Sequence, residues 1–177
     1  MNNFRSFIAY TLPEEIIELC AKIQSQFPKN KDTFKLVKPS NMHLTILFLG
    51  NKTMEELSSI RDAFSGIGSK VKDINLTTFG ISTFGKPPSV VYLEIIDKEN
   101  KGKLLAEEIC RRLKATPDKP WAAHITLARI RSYNKKFNVS HLKNIKFKPI
   151  VFSPTSVTIF TSKLTPKGPN YTVFHKC

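Results

Sequence analysis

Acidic residues are scarce in this chain: 14 Asp and Glu stand against 28 Lys and Arg, for a formal charge of +14 over 177 residues. Such a field attracts polyanions, nucleic acid foremost, although a lysine-rich surface kept for solubility gives the same count. The excess is spread along the chain, so it marks a basic protein and not a basic tail. Cysteine is also sparse. Cys20, Cys110 and Cys177 are odd in number and include no CxxC pair, which argues against a disulfide framework and fits a reducing, cytoplasmic setting. No apolar run approaches the roughly 18 residues that cross a bilayer, so no membrane association is expected. The first ten residues lack a long apolar stretch and read as a strand instead of a signal peptide. There is no glycine-rich phosphate loop, no HExxH and no clustered cysteine, so neither a cofactor nor a metal is expected.

What is present is a mixed pattern. Alternation over residues 4–10 predicts a strand. Pro13 then opens an amphipathic helix with Ile16, Ile17, Leu19, Cys20, Ile23 and Phe27 at helical spacing, ending near Pro28. A short strand is expected over 34–37 and a turn at Pro39-Ser40-Asn41. Residues 43–50 follow as a strand apolar on both faces, which predicts a central position in its sheet. Thr53 and Glu56 form a capping box for a helix carrying Met54, Leu57, Ile60 and Phe64. Strands are expected over 75–81 and 90–96, and a helix over 99–115 with Leu104, Leu105, Ile109 and Leu113 on one stripe, ended by Pro117 and Pro120. Residues 122–129 form a further strand. The tail holds strands over 150–152, 155–162 and 171–175, with a proline-stiffened loop over 164–171. This order predicts an α+β fold with largely antiparallel sheets, as one domain over 1–177 or as two small lobes sharing a cleft.

Two of the four histidines carry the same neighbour. His43 precedes Thr45 by two positions and His124 precedes Thr126 by two. In a strand, residues i and i+2 share a face, so each strand presents an imidazole beside a hydroxyl. Brought together across a cleft, the pairs supply two proton-transfer groups and two neutral hydrogen-bond donors. Displacement at a phosphodiester needs that set: one group removes a proton from attacking water, and another, across the phosphorus, protonates the departing oxygen. Histidine does either near neutral pH. Threonine hydroxyls can hold the non-bridging oxygens without adding a competing base. A single HxT is weak evidence and fits a structural histidine, but the pair on two apolar strands favours catalysis. His141 and His175 lack this context and are read as structural or surface groups.

His43-Leu44-Thr45-Ile46-Leu47-Phe48-Leu49-Gly50 and Ala123-His124-Ile125-Thr126-Leu127-Ala128-Arg129 resemble the two signatures of the 2H phosphoesterases. More narrowly, they resemble those of the LigT/ThpR-type RNA 2′,3′-cyclic phosphodiesterases, also called 2′-5′ RNA ligases. The opening Phe4-Arg5-Ser6-Phe7-Ile8-Ala9 and the closing Leu164-Thr165-Pro166-Lys167-Gly168-Pro169-Asn170-Tyr171 are similar to that subgroup's termini. The resemblance implies two pseudo-symmetric lobes of antiparallel sheet, helices outside, and both HxT strands lining a central cleft. It implies metal-independent hydrolysis of RNA 2′,3′-cyclic phosphate ends, tRNA fragments among them, to 2′-phosphates; separately, a monomer is expected because the sequence leaves no obvious apolar surface helix over. His43 would protonate the leaving 3′-oxygen and His124 would activate water, with Thr45, Thr126 and Arg129 on the phosphate. Two departures stand out. Ala123 replaces a proline common in relatives, and strict alternation from His124 turns Ala128, not Arg129, to the cleft unless a bulge intervenes.

Lys167 is a further phosphate-contact candidate, and Phe84 a base-stacking one; Phe48 is expected in the core. The same histidines run in reverse would ligate RNA ends through a 2′-5′ bond. A non-catalytic RNA-binding module, or a 2H enzyme acting on small cyclic nucleotides, are the competing readings.

Overall fold

The computed structural model describes residues 3–28, 33–117, 119–131, 139–166 and 168–177. Strand β1 (Phe4–Thr11) leads into helix α1 (Glu14–Gln24), capped by Pro13, with Glu14 and Glu15 in the first turn where the helix dipole favours negative charge. Its buried face is Ile16, Cys20, Ile23 and Gln24. Strand β2 (Phe34–Leu36) and a 3₁₀ turn (Pro39–Asn41) precede β3 (Leu44–Lys52). Helix α2 (Met54–Asp62) starts on the expected capping box: Glu56 N–H donates to Thr53 Oγ1 at 3.2 Å, and Thr53 N–H donates to the Glu56 carboxylate at 2.8 Å. Then follow α3 (Ile67–Val71), β4 (Leu76–Phe84), β5 (Val90–Ile96), α4 (Lys101–Arg112), β6 (His124–Ile130), α5 (Ser140–Lys143), β7 (Val151–Phe152), β8 (Ser156–Thr165) and β9 (Gly168–Lys176).

The strands form two antiparallel sheets, ordered β3-β1-β8-β9 and β2-β6-β5-β4-β7. This is the expected α+β, two-lobed architecture. The lobes are not halves of the chain, however: the first sheet takes two strands from the start and two from the end. Because α1 leaves β1 in one sheet for β2 in the other, the chain crosses between lobes early, and both lobes depend on it.

Three local expectations are corrected. Strand β3 is an edge, not a central strand. Its apolar inner residues are buried because the second lobe covers that edge: the Trp121 indole N–H donates to Thr45 O at 2.8 Å. The loop expected over 164–171 is shorter, with β8 continuing to Thr165 and β9 beginning at Gly168. Strands β8 and β9 pair in register up to it, Leu164 opposite Pro169 and Thr165 opposite Gly168. Pro169 is tolerated there because β9 is an edge, where a missing N–H costs no ladder bond. On α4, Leu104 is 59% exposed, and the buried stripe is Gly102, Leu105, Ala106, Ile109 and Cys110. Cys20 and Cys110 lie in the core as read, and burial pushes the Cys20 thiol up to about 12. Among the described residues, no helix is long and apolar enough to cross a membrane.

A buried contact ties β1 to α4. Tyr10 on β1 donates its hydroxyl to Gly102 O at 2.7 Å, and its ring meets Trp121 edge-on at 5.8 Å. Gly102 allows this close approach: a Cβ there would stand 3.1 Å from Asp97 Oδ2 and 3.2 Å from Trp121 Cη2.

Candidate active site

Between the sheets lies a cavity of about 870 Å³, the size of a small-ligand or nucleotide site. His43, Thr45, His124, Thr126 and Arg129 all line it. Lys167 lies outside the described residues.

The two histidines are held in the same way. His43 Nδ1 lies 2.8 Å from Asn41 O, and His124 Nδ1 lies 2.8 Å from Ala122 O. A carbonyl oxygen only accepts, so each Nδ1 carries a proton, and each Nε2 is left as the site where a proton comes or goes. His43 Nε2 is 3.0 Å from Thr45 Oγ1. That hydroxyl donates to the neutral ring and accepts from the charged one, so the ring keeps its aim through a proton cycle. Asn41 is fixed in turn, its side-chain amide donating to Pro169 O at 2.8 Å. The edge-strand hairpin thereby reaches the backbone carbonyl that orients His43.

Each imidazole also has an aromatic wall. Phe7 lies 4.9 Å from the His43 ring and Tyr171 meets it edge-on at 5.6 Å. Phe84 and Tyr92, stacked at 4.0 Å, meet the His124 ring edge-on at 5.0 and 5.4 Å. Burial holds His43 below the usual histidine value; its bond to Asn41 O opposes this, and the charge on His124 adds to it. Tyr171 is pushed up by burial and drawn back by the positive charges of Arg129 and Arg5.

Arg129 reaches the cavity through a bulge. On β5, Val91 pairs with Ala128 and the next residue, Tyr92, with Thr126, so Leu127 is skipped. Leu127 and Ala128 are both fully buried, and the phase of the strand reverses across them. Arg129 therefore faces the cleft with His124 and Thr126. The bulge is braced from α1: Gln24 Nε2 donates to Leu127 O at 2.8 Å and to Val37 O at 2.9 Å. Gln24→Leu is expected to lower the free energy of unfolding by about 1–2 kcal/mol: Val37 O loses its amide donor, and Leu127 O keeps only the bond from Val37 N–H at 2.9 Å. Urea denaturation measures this, and a loss under about 0.5 kcal/mol would show that the amide is no brace.

Phe48 is not in the core. It is 70% exposed and lines the cavity with Phe84, which is 41% exposed. Residues not picked from the sequence also line it, notably Arg5, Lys35, Lys38, Arg131 and Tyr171. Arg5 and Tyr171 belong to the two terminal motifs; nothing local distinguishes Lys35 or Arg131 from other surface cations. Among the described residues, no three His, Cys, Asp or Glu side chains gather in a way that could hold a metal ion.

The LigT-like phosphoesterase family model matches residues 11–92 and 100–171. An RNA 2′,3′-cyclic phosphodiesterase of Thermotoga maritima is 28% identical, covering 98% of this chain and 94% of that protein. One from Methanocaldococcus jannaschii is 29% identical, covering 96% and 97%. Among solved structures, E. coli LigT complexed with 3′-AMP superposes with a TM-score of 0.72 at 21% identity, covering 99% of this chain and 98% of that one.

Proposed function

This chain belongs to the LigT-like phosphoesterase family of the 2H superfamily, and we propose that it hydrolyses 2′,3′-cyclic phosphate ends of RNA to 2′-phosphates. The observation that carries this reading is the matched pair of imidazoles, each with Nδ1 committed to a carbonyl and Nε2 left for proton transfer, lining one cavity. In the proposed step, His124 Nε2 takes a proton from water as that water attacks phosphorus. The P–O3′ bond breaks on the far side, and His43 Nε2 gives its proton to the departing 3′-oxygen. The product carries a 2′-phosphate and a 3′-hydroxyl. His124 ends charged and His43 neutral, and exchange with solvent resets the pair.

Thr45 and Thr126 donate to the non-bridging oxygens, where negative charge is held during displacement, and Arg129 adds a guanidinium to the same phosphate. Phe48 and Phe84 offer exposed ring faces to the terminal base. No step calls on a metal. These residues line one cavity between the two sheets, which supports a single domain of two lobes.

The test is to incubate an oligoribonucleotide ending in a 2′,3′-cyclic phosphate with the protein in excess EDTA. A 2′-phosphate product is expected. A 3′-phosphate product, or turnover abolished by EDTA and restored by a divalent metal, would refute the reading.

A further inference from the structure

We infer that Lys35 and Arg131, flanking Arg129, form a second anion subsite that takes the phosphodiester on the 5′ side of the terminal nucleotide. The enzyme would thus be built for RNA chains and not for single nucleotides. This rests on the proposed function and extends it from the reacting phosphate to the one before it.

The first observation is a register. Lys35 on β2 stands directly opposite Arg129 on β6, and both line the cavity. Like charges placed opposite each other across a ladder repel, and sheets avoid this unless something lies between them. The second is continuity. Arg131 N–H donates to Thr33 O at 2.8 Å, which extends the β2–β6 ladder past its last paired strand residue, and Arg131 also lines the cavity. Because of the bulge, Thr126, Arg129 and Arg131 take the places of residues i, i+2 and i+4 on one face. Their backbone positions therefore lie about 7 and about 14 Å beyond Thr126, leading outward from the histidines.

The third observation is the missing counter-charge. Among the described residues, five cations line the cavity (Arg5, Lys35, Lys38, Arg129 and Arg131) and no carboxylate does. The ion pairs among the described residues involve Lys52, Arg61, Lys70, Lys101, Lys103 and Arg112, all outside this group. Lys35 is also placed and not merely solvated: it is half-buried, and its Nζ comes within 3.4 Å of where a Cβ on Gly168 would stand. The hairpin of the opposite lobe leaves room there for the lysine to reach across the cleft. A row of cations without carboxylate partners, leading away from one phosphate site, matches the next charge of the same strand.

The test compares uridine 2′,3′-cyclic phosphate with the dinucleotide UpU ending in a 2′,3′-cyclic phosphate, using the native protein and the Lys35→Ala/Arg131→Ala double variant. The native protein is expected to favour the dinucleotide, and the ratio of the two kcat/KM values is expected to fall at least ~10-fold in the double variant. The salt dependence of dinucleotide turnover should flatten by about 0.7 in log–log slope for each phosphate that the variant no longer neutralises. An unchanged ratio overturns the inference, whether both rates fall together or neither moves. If the native protein turns over neither substrate, the proposed function fails by itself. Fluorescence anisotropy with a labelled hexaribonucleotide, which needs no turnover, then decides the subsite. At least ~10-fold weaker binding by the double variant upholds it, and equal binding overturns it.

Discussion

His124→Ala and His43→Ala are each expected to lower the single-turnover rate on a cyclic-phosphate RNA end by at least about 10²-fold, the lower end for acid–base catalysis. Both rings line the cavity and leave the apolar core intact, so the variants should fold, which circular dichroism can verify. The double variant should be little worse than either single one, because the two groups act in the same displacement and removing one disables the pair. A rate within threefold of the native protein for either variant would remove the mechanism. The roles can then be separated chemically. If the 3′-oxygen is replaced by sulfur, the leaving group departs as a thiolate and needs little help from an acid, since thiols ionise far more readily than sugar hydroxyls. His43→Ala should be largely rescued on that substrate and His124→Ala should not. The opposite pattern would exchange the roles of acid and base without touching the two-histidine step.

The parts of this site that were legible in the sequence are those that depend only on strand alternation. His43 with Thr45, and His124 with Thr126, share faces because the period of a strand is two, and no distant residue is needed to say so. Arg129 was not legible in that way. Its orientation depends on a bulge whose residues, Leu127 and Ala128, are ordinary core residues, and whose brace, Gln24, lies in the first helix. No local pattern records that an amide so far off in the chain will hold a particular carbonyl. The same blindness explains β3. An apolar run reports that a strand is covered on both faces but not by what, and here the cover is Trp121 from the other lobe. Phe48 was misplaced because an unbroken apolar run gives no phase, so one exposed ring within it cannot be told from its buried neighbours. The hairpin at 164–171 was hidden by its prolines and glycine, which mark turns in most contexts but are allowed along an edge strand.

The pH response should be nearly as large as the effect of losing a histidine. Burial lowers His43, the proposed acid, and the charge of His124 lowers it further, so the free protein protonates His43 only below the usual histidine value of about 6.5. The proposed step therefore requires the anionic substrate to draw the proton onto His43 beside a neutral His124. With both rings charged, no base remains to activate water. On the acid side kcat/KM should therefore fall tenfold per pH unit, about a hundredfold across two units, from an inflection below about 6.5. An inflection at or above that value would contradict the burial argument. Stability should respond with the same sign. The unfolded chain protonates this histidine near the usual value and the folded chain only lower, so between those two values the unfolded state binds more protons. The stability present above the unfolded value is thus lost as pH falls through the folded one. Glu55, Glu56, Glu99 and Glu108 are all held below the usual carboxylate range, so their own losses begin at lower pH. Thermal unfolding followed from about pH 7.5 to about pH 5 should show the decline in the native protein and a flatter profile in His43→Ala. Inorganic phosphate should oppose the decline, because an anion in the cleft favours the charged ring that burial disfavours. If His43→Ala loses stability across that range as steeply as the native protein, the titrating group is another residue, and the proton that His43 is proposed to deliver would need a different source.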